Sequence, residues 1–182
     1  MTDFVEDFPA GYSVSEGALV GSSRESLTFA TEGTPRLAPV VEILVASDAG
    51  SSWHGSFFGS ADALNVLVAT ADARTLLVVA GGVSYLVPVD EPEKYLVLPL
   101  QPVRDVQCAE AERLVLLAGY SDLLAIGADG AIRWTAKDLV SDGFDEVRVT
   151  PSTVEVRGFD PAEGHEVEMT VDLASGVVLA RR

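Results

Sequence analysis

The chain has 182 residues, with 28 acidic against 12 basic side chains, a formal net charge of −16 and 48% hydrophobic residues. That length and apolar fraction exclude general disorder and permit a single domain with a real core and no covalent staples. The negative field repels phosphate backbones and anionic headgroups, which argues against nucleic-acid and membrane partners. It would speed association with a basic protein, and it also keeps a β-rich chain soluble.

The first dozen residues are acidic and aromatic, carry Pro9 and Gly11, and read as an arm or a first edge element. They lack the basic start and apolar run of a secretion signal. Short strands are expected at Tyr12 to Val20, Arg24 to Ala30 and Val40 to Ala46. Ser47 to Ser60 is rich in Ser and Gly and reads as a loop, yet it holds Trp53, His54, Phe57 and Phe58. Asp62 with Ala61 and Ala63 suggests a helical turn.

From residue 65 the pattern is regular. Apolar runs of five to seven residues alternate with turn residues, the signature of antiparallel strands joined by tight loops. Strands are expected at Asn65 to Ala69, Leu76 to Ala80, Val83 to Val89 and Tyr95 to Leu98. The next four are Val103 to Ala109, Leu114 to Ala118, Asp122 to Ile126 and Ala131 to Ala136. The last four are Glu146 to Thr150, Thr153 to Arg157, Glu166 to Asp172 and Val177 to Arg181. Gly81-Gly82, Asp129-Gly130, Glu163-Gly164 and Ser175-Gly176 supply the turns.

The sequence repeats. Leu76-Leu77-Val78-Val79-Ala80-Gly81 aligns with Leu114-Val115-Leu116-Leu117-Ala118-Gly119, and Leu86 falls over Leu124. A looser third copy places Gly158 after Thr153 to Arg157. Residues 65–102, 103–144 and 145–182 are thus approximate four-strand repeats, preceded by a less regular part, 1–64. About 40 residues and four strands is the size of a propeller blade, and one such sheet needs a neighbour to bury its faces.

The run Leu124-Ala125-Ile126-Gly127-Ala128-Asp129-Gly130-Ala131-Ile132-Arg133-Trp134 resembles the strand-turn-strand signature of quinoprotein-like (PQQ-like) propeller repeats. Thr170 to Leu179 is similar, with Ala180 near the place of the Trp. The blocks around Val79-Ala80-Gly81-Gly82 and Gly143-Phe144 also look like bacterial proteins of unknown function. The resemblance implies an all-β, β-propeller-like fold of antiparallel four-stranded meanders. Three repeats are too few to close a ring as a monomer, so a two-sheet sandwich or an open barrel is the alternative. No residues suited to a cofactor cage recur, so no cofactor is expected.

Candidate chemistry is sparse. His54 has Asp48, Ser51 and Ser52 near it in sequence, but no nucleophile elbow. Asp160, Glu163 and His165 match no zinc spacing and read as a solvated hairpin tip. Asp138, Asp142 and Asp145 around Gly143 offer oxygen ligands of the kind that hold calcium, but their spacing is not that of the helix-loop-helix calcium loop, and Asp in such places usually makes local turn bonds. Cys108, the one cysteine, reads as a buried inert thiol and fits a reducing, cytoplasmic compartment. The segment to watch is Asp48, Trp53, His54, Phe57 and Phe58, whose aromatics either plug one end of the core or bind.

Three functions follow. The first is a non-enzymatic module for a basic protein partner, of the inhibitor or immunity type. The second is a small-ligand binder or hydrolase-like enzyme with its pocket near Trp53 and His54. The third is a structural repeat acting as a homo-oligomer.

Overall fold

The computed structural model describes residues 3–5, 7–17, 25–31, 38–61 and 63–182. Asp62, Arg24 and residues 18–20, which bear on the expected helical turn and the ends of two expected strands, lie outside them. The chain divides into two compact units, Met1–Gln101 and Pro102–Arg182. Each unit contains a pair of sheets whose facing sides form its core. The chain is all-β, in blade-like four-stranded sheets, and its only described helices are two three-residue 3₁₀ turns.

In the first unit, β1 (Asp3–Val5), β2 (Tyr12–Glu16), β3 (Glu25–Phe29), β4 (Val41–Ser47) and β5 (Ser52–Phe57) precede a regular meander. The meander consists of β6 (Val66–Ala69), β7 (Thr75–Ala80), β8 (Val83–Pro88) and β9 (Leu96–Val97). The strands before the meander make a fourth sheet that the repeat pattern does not announce, in the order β2-β4-β5-β3 with β3 parallel to β5. The arm β1 adds in parallel to the edge of β6, as an edge element.

Alternation explains the packing. Val41, Ile43 and Val45 of β4 and Trp53 and Phe57 of β5 turn inward, toward Leu67, Ala69, Leu76, Val78, Tyr85 and Val87. Gly55 lies between the two inward aromatics of β5. A Cβ there would stand 2.7 Å from the Phe57 ring and 2.8 Å from the Trp53 ring, so the close approach requires glycine.

In the second unit, β10 (Asp105–Ala109), β11 (Leu114–Ala118), β12 (Leu123–Ile126) and β13 (Ile132–Ala136) form one antiparallel meander. The other comprises β14 (Phe144–Val149), β15 (Thr153–Asp160), β16 (His165–Asp172) and β17 (Val178–Arg181). The 38-residue repeat is visible as β7 and β11, the second strands of their meanders, with Leu86 on β8 and Leu124 on β12. Where a loop is expected after Arg157, β15 instead runs on through Gly158 to Asp160, because full pairing with β16 extends to His165.

Trp134 ties the two sheets of this unit together. Its Nε1 donates to the Leu173 carbonyl at 2.8 Å, and its ring lies where any Cβ on Gly176 would fall, at 2.6 Å. Gln107 of β10 is a second tie. Its amide donates to Val147 O (2.6 Å) and accepts from Val149 N (3.1 Å), so a side chain satisfies the free edge of β14.

Candidate functional site

The aromatic segment singled out in the sequence is a strand, not a flexible loop. Trp53 is 3% exposed, Phe57 0% and Phe58 8%, and each is fixed by a specific partner. Trp53 Nε1 donates to Val89 O at 2.9 Å. Phe57 stacks on Phe29 with ring centroids 4.2 Å apart and planes 7° apart, and Tyr85 meets Phe57 edge-on at 5.4 Å. Phe58 carries the carbonyl that accepts the Tyr85 hydroxyl at 2.7 Å. Burial pushes the Tyr85 phenol up to about 12, with the Tyr95 phenol adding to the shift.

His54 points to the other face of β5 and is buried as well. Its Nδ1 lies 3.5 Å from Ser26 Oγ, and its Nε2 has no hydrogen-bond partner among the described residues. The structure therefore separates His54 from Asp48. The latter lies in the β4–β5 turn and lines a small open cavity of about 180 Å³ with Gly11, Tyr12, Arg74 and Asp90. Ser47 and Ser51 do not serve His54: both hydroxyls donate to Asp90, at 2.8 and 3.4 Å.

The other candidates resolve into turn chemistry. Asp160 and Glu163 each take a 2.7 Å bond from Arg181 Nη2, and His165 donates through Nδ1 to Glu166 O at 2.8 Å. Asp138 adopts φ 53°, and its N–H donates to the Asp122 carboxylate at 2.9 Å. No group of three or more His, Cys, Asp or Glu among the described residues is arranged to hold a metal. Cys108 is half-buried in β10 rather than enclosed.

The site that sequence reasoning missed is at one end of the second unit. There β11 ends at Ala118, β10 begins at Asp105, β13 ends at Ala136 and β14 begins at Phe144. Backbone bonds join their connections: Phe144 N to Tyr120 O at 3.0 Å, Leu139 N to Ser121 O at 3.0 Å, and Asp142 N to Phe159 O at 3.2 Å.

Tyr120 stands in the β11–β12 turn, 44% exposed, yet fixed on three sides. Its hydroxyl donates to Asp142 Oδ1 at 2.7 Å, the Arg104 guanidinium lies 5.5 Å from its ring centroid, and a Cβ on Gly143 would come within 2.8 Å of the ring. The bond to Asp142 pushes its phenol above the ordinary value. Beside it lies an open cavity of about 290 Å³ lined by Ala118, Gly119, Phe144 and Val147, by the carboxylates of Asp105, Asp145 and Glu146, and by Arg104. Asp122, Asp138 and Asp142 extend the acidic surface around the same end. The one available signal in the sequence is an aromatic among turn formers, Gly119-Tyr120-Ser121-Asp122.

No family model and no curated protein matches the chain. Solved structures similar to it include the mitotic checkpoint complex, at 12% identity and TM-score 0.48, over 98% of this chain and 56% of that one. A eukaryotic initiation factor matches at 12% identity and TM-score 0.45, over 78% of this chain and 40% of that one. A protein of unknown function from Bacteroides caccae matches at 16% identity and TM-score 0.40, over 87% and 60%. The chain thus spans 40% to 60% of the length of these structures. Among the described residues no helix is long and apolar enough to cross a membrane.

Proposed function

We propose that the protein is a non-catalytic binding module that captures a basic protein on the acidic end of its second unit. The observation that carries this reading is Tyr120, an exposed aromatic fixed by Asp142 and Arg104 beside a cavity in whose lining three carboxylates outnumber the one cation, Arg104. Tyrosine gives a large amphipathic contact at low entropic cost, and prior fixation lowers that cost further. The surrounding carboxylates and the overall charge of −16 would steer a cationic surface toward it. An inhibitor or immunity-type role, neutralising a basic partner, fits this chemistry. A single cysteine suits the cytoplasm. The Trp134 tie supports kinship with quinoprotein-like repeats, with the repeat used as a scaffold and no cofactor called for.

The test is affinity capture from native lysate at low and moderate salt with wild type and Tyr120→Ala, prey identified by mass spectrometry. One basic protein should be recovered stoichiometrically by wild type, fade as salt rises, and be lost with Tyr120→Ala. A prey held equally by the variant, or untouched by salt, would remove this reading.

A further inference from the structure

Asp160, the last residue of β15, is the one buried carboxylate among the described residues, at 5% exposure. A buried charge has to be paired and hydrogen-bonded. Its Oδ2 takes the Arg181 guanidinium at 2.7 Å, and its Oδ1 accepts from Ala162 N at 3.0 Å and from Ser141 Oγ at 3.2 Å. The first two bonds tie β17 and the β15–β16 turn, as an aspartate at a turn does. The third leaves that hairpin, because Ser141 belongs to the connection between β13 and β14.

That connection also carries the residue that fixes Tyr120. It lies directly on β15 because Gly158 has no side chain: a Cβ there would stand 2.3 Å from Gly143 O and 3.1 Å from Val140 Cγ1. Asp142 N donates to Phe159 O on the same strand at 3.2 Å, and the Asp142 carboxylate takes the Tyr120 hydroxyl at 2.7 Å. Three consecutive residues of β15 thus meet residues 140–143: Gly158 by close approach, Phe159 by a backbone bond and Asp160 by a side-chain bond. Of the two bonds, the one to Asp160 has a charged acceptor, and such bonds are the stronger kind.

We propose that Asp160 is a positioning residue for Tyr120: clamped by Arg181, it holds Ser141 and so aims the neighbouring Asp142 carboxylate at the Tyr120 hydroxyl. The path Arg181–Asp160–Ser141–Asp142–Tyr120 lies wholly within the second unit. An aspartate that served only its own turn would leave Tyr120 indifferent to Ser141. The effect on binding rests on the capture of a basic protein at Tyr120, whereas the fixation of the ring does not, so the two can be tested apart.

The test uses the full chain with carbon-13 at the tyrosine Cζ atoms, the Tyr120 signal being assigned by its loss in Tyr120→Phe. The bond to Asp142 raises the Tyr120 phenol above its ordinary value, so its titration reads that bond directly. Ser141→Ala deletes the link and leaves the bonds from Arg181 and Ala162 in place, and Ser141→Thr keeps the hydroxyl. In Ser141→Ala the phenol should titrate closer to its ordinary value, and exchange of the Asp142 N–H should quicken by about threefold or more. Ser141→Thr should match wild type. Asp160→Asn, checked for folding by circular dichroism, should move the phenol the same way as Ser141→Ala, because an amide holds Arg181 less firmly. Affinity for decalysine, read by fluorescence anisotropy at low salt, should fall in Ser141→Ala by about two- to fivefold. A Tyr120 titration identical in wild type and Ser141→Ala, or shifted equally by Ser141→Thr, would overturn the proposal whatever the protein binds. A titration shifted only by Ser141→Ala and Asp160→Asn, in a protein that ignores decalysine, would uphold Asp160 as the positioning residue and remove the capture reading instead.

Discussion

Trp53 and Tyr120 form an instructive pair. Each is an aromatic with a hydrogen-bonding tip. Trp53 holds an inward position of β5, donates to a backbone carbonyl and is 3% exposed. Tyr120 stands in a turn, donates to a side-chain carboxylate and is 44% exposed. The partner decides the role. A buried backbone acceptor must be satisfied wherever the ring goes, so Trp53 is bound into the fold. A surface carboxylate is already hydrated, so the Tyr120–Asp142 bond holds the ring's orientation more than it holds the fold.

The largest break of this contrast is on the Trp53 side. Trp53→Ala removes the ring from a core shared with Phe29, Ile43 and Leu76 and orphans Val89 O. Urea unfolding should show a loss of about 3–5 kcal/mol. A loss below about 1 kcal/mol would mean that the ring does not support the core as its burial implies.

Asp72 is the next point of leverage, since it organises the β6–β7 turn beside the same core. Its carboxylate accepts from Thr70 Oγ1 (2.9 Å), Arg74 N (2.8 Å), Thr75 N (2.8 Å) and Thr75 Oγ1 (2.6 Å). Burial alone would raise its pKa, but these four bonds together outweigh it and hold the carboxyl below its ordinary value. A depressed carboxylate contributes stability that is complete above the unfolded-state pKa and is lost as pH falls through the folded one. The unfolded chain binds the proton more readily, so stability rises with pH across that acidic window. Asp72→Ala should cost about 1–2 kcal/mol at neutral pH and flatten the decline of stability below about pH 4. An unchanged acid limb in the variant would assign that decline to other carboxylates.

These two sites also show what a sequence makes legible. Strands β7, β8, β11 and β12 are apolar runs punctuated by turn residues, so both their type and their repeat can be read directly. Strand β5 hides because its inward set is Trp53, Gly55 and Phe57: the middle position is a glycine, chosen for ring clearance, and serine and histidine fill the rest. Local pattern then suggests a loop. The parallel β3–β5 pair is equally hidden, because pairing direction leaves no local trace. The aromatic content of residues 47–60 was legible as a departure from ordinary loops, and burial is its explanation. Tyr120 was illegible for the converse reason: one aromatic in a turn is unremarkable until Asp142 and Arg104, 22 residues later and 16 earlier, are seen around it.

Gln107 sharpens the comparison within the second unit, because its amide replaces a strand at the edge of β14. Gln107→Ala should cost about 1–2 kcal/mol, less than the core substitution, by exposing Val147 O and Val149 N. Hydrogen exchange at Val149 should accelerate in step. An unchanged rate there would show that the amide does not protect that edge.

The smallest expected effect on stability is the most telling. Tyr120→Ala leaves both cores of the chain untouched, since Tyr120 belongs to neither. Its bond to Asp142 and its contact with Arg104 are solvent-exposed, and interactions of that kind contribute little to folding. Unfolding free energy should therefore change by less than about 1 kcal/mol. Capture of a basic partner should fall by tenfold or more, about 1.4 kcal/mol. Tyr120→Phe separates the two functions of the side chain. It keeps the ring and the Arg104 contact but frees Asp142, so a binding loss confined to Tyr120→Ala would make the ring the anchor. Equal losses in both variants would assign the effect to the orientation that the hydroxyl imposes. A large loss of stability in Tyr120→Ala, with binding unchanged in the surviving fold, would place Tyr120 beside Trp53 as part of the fold, and the acidic end would have no anchor.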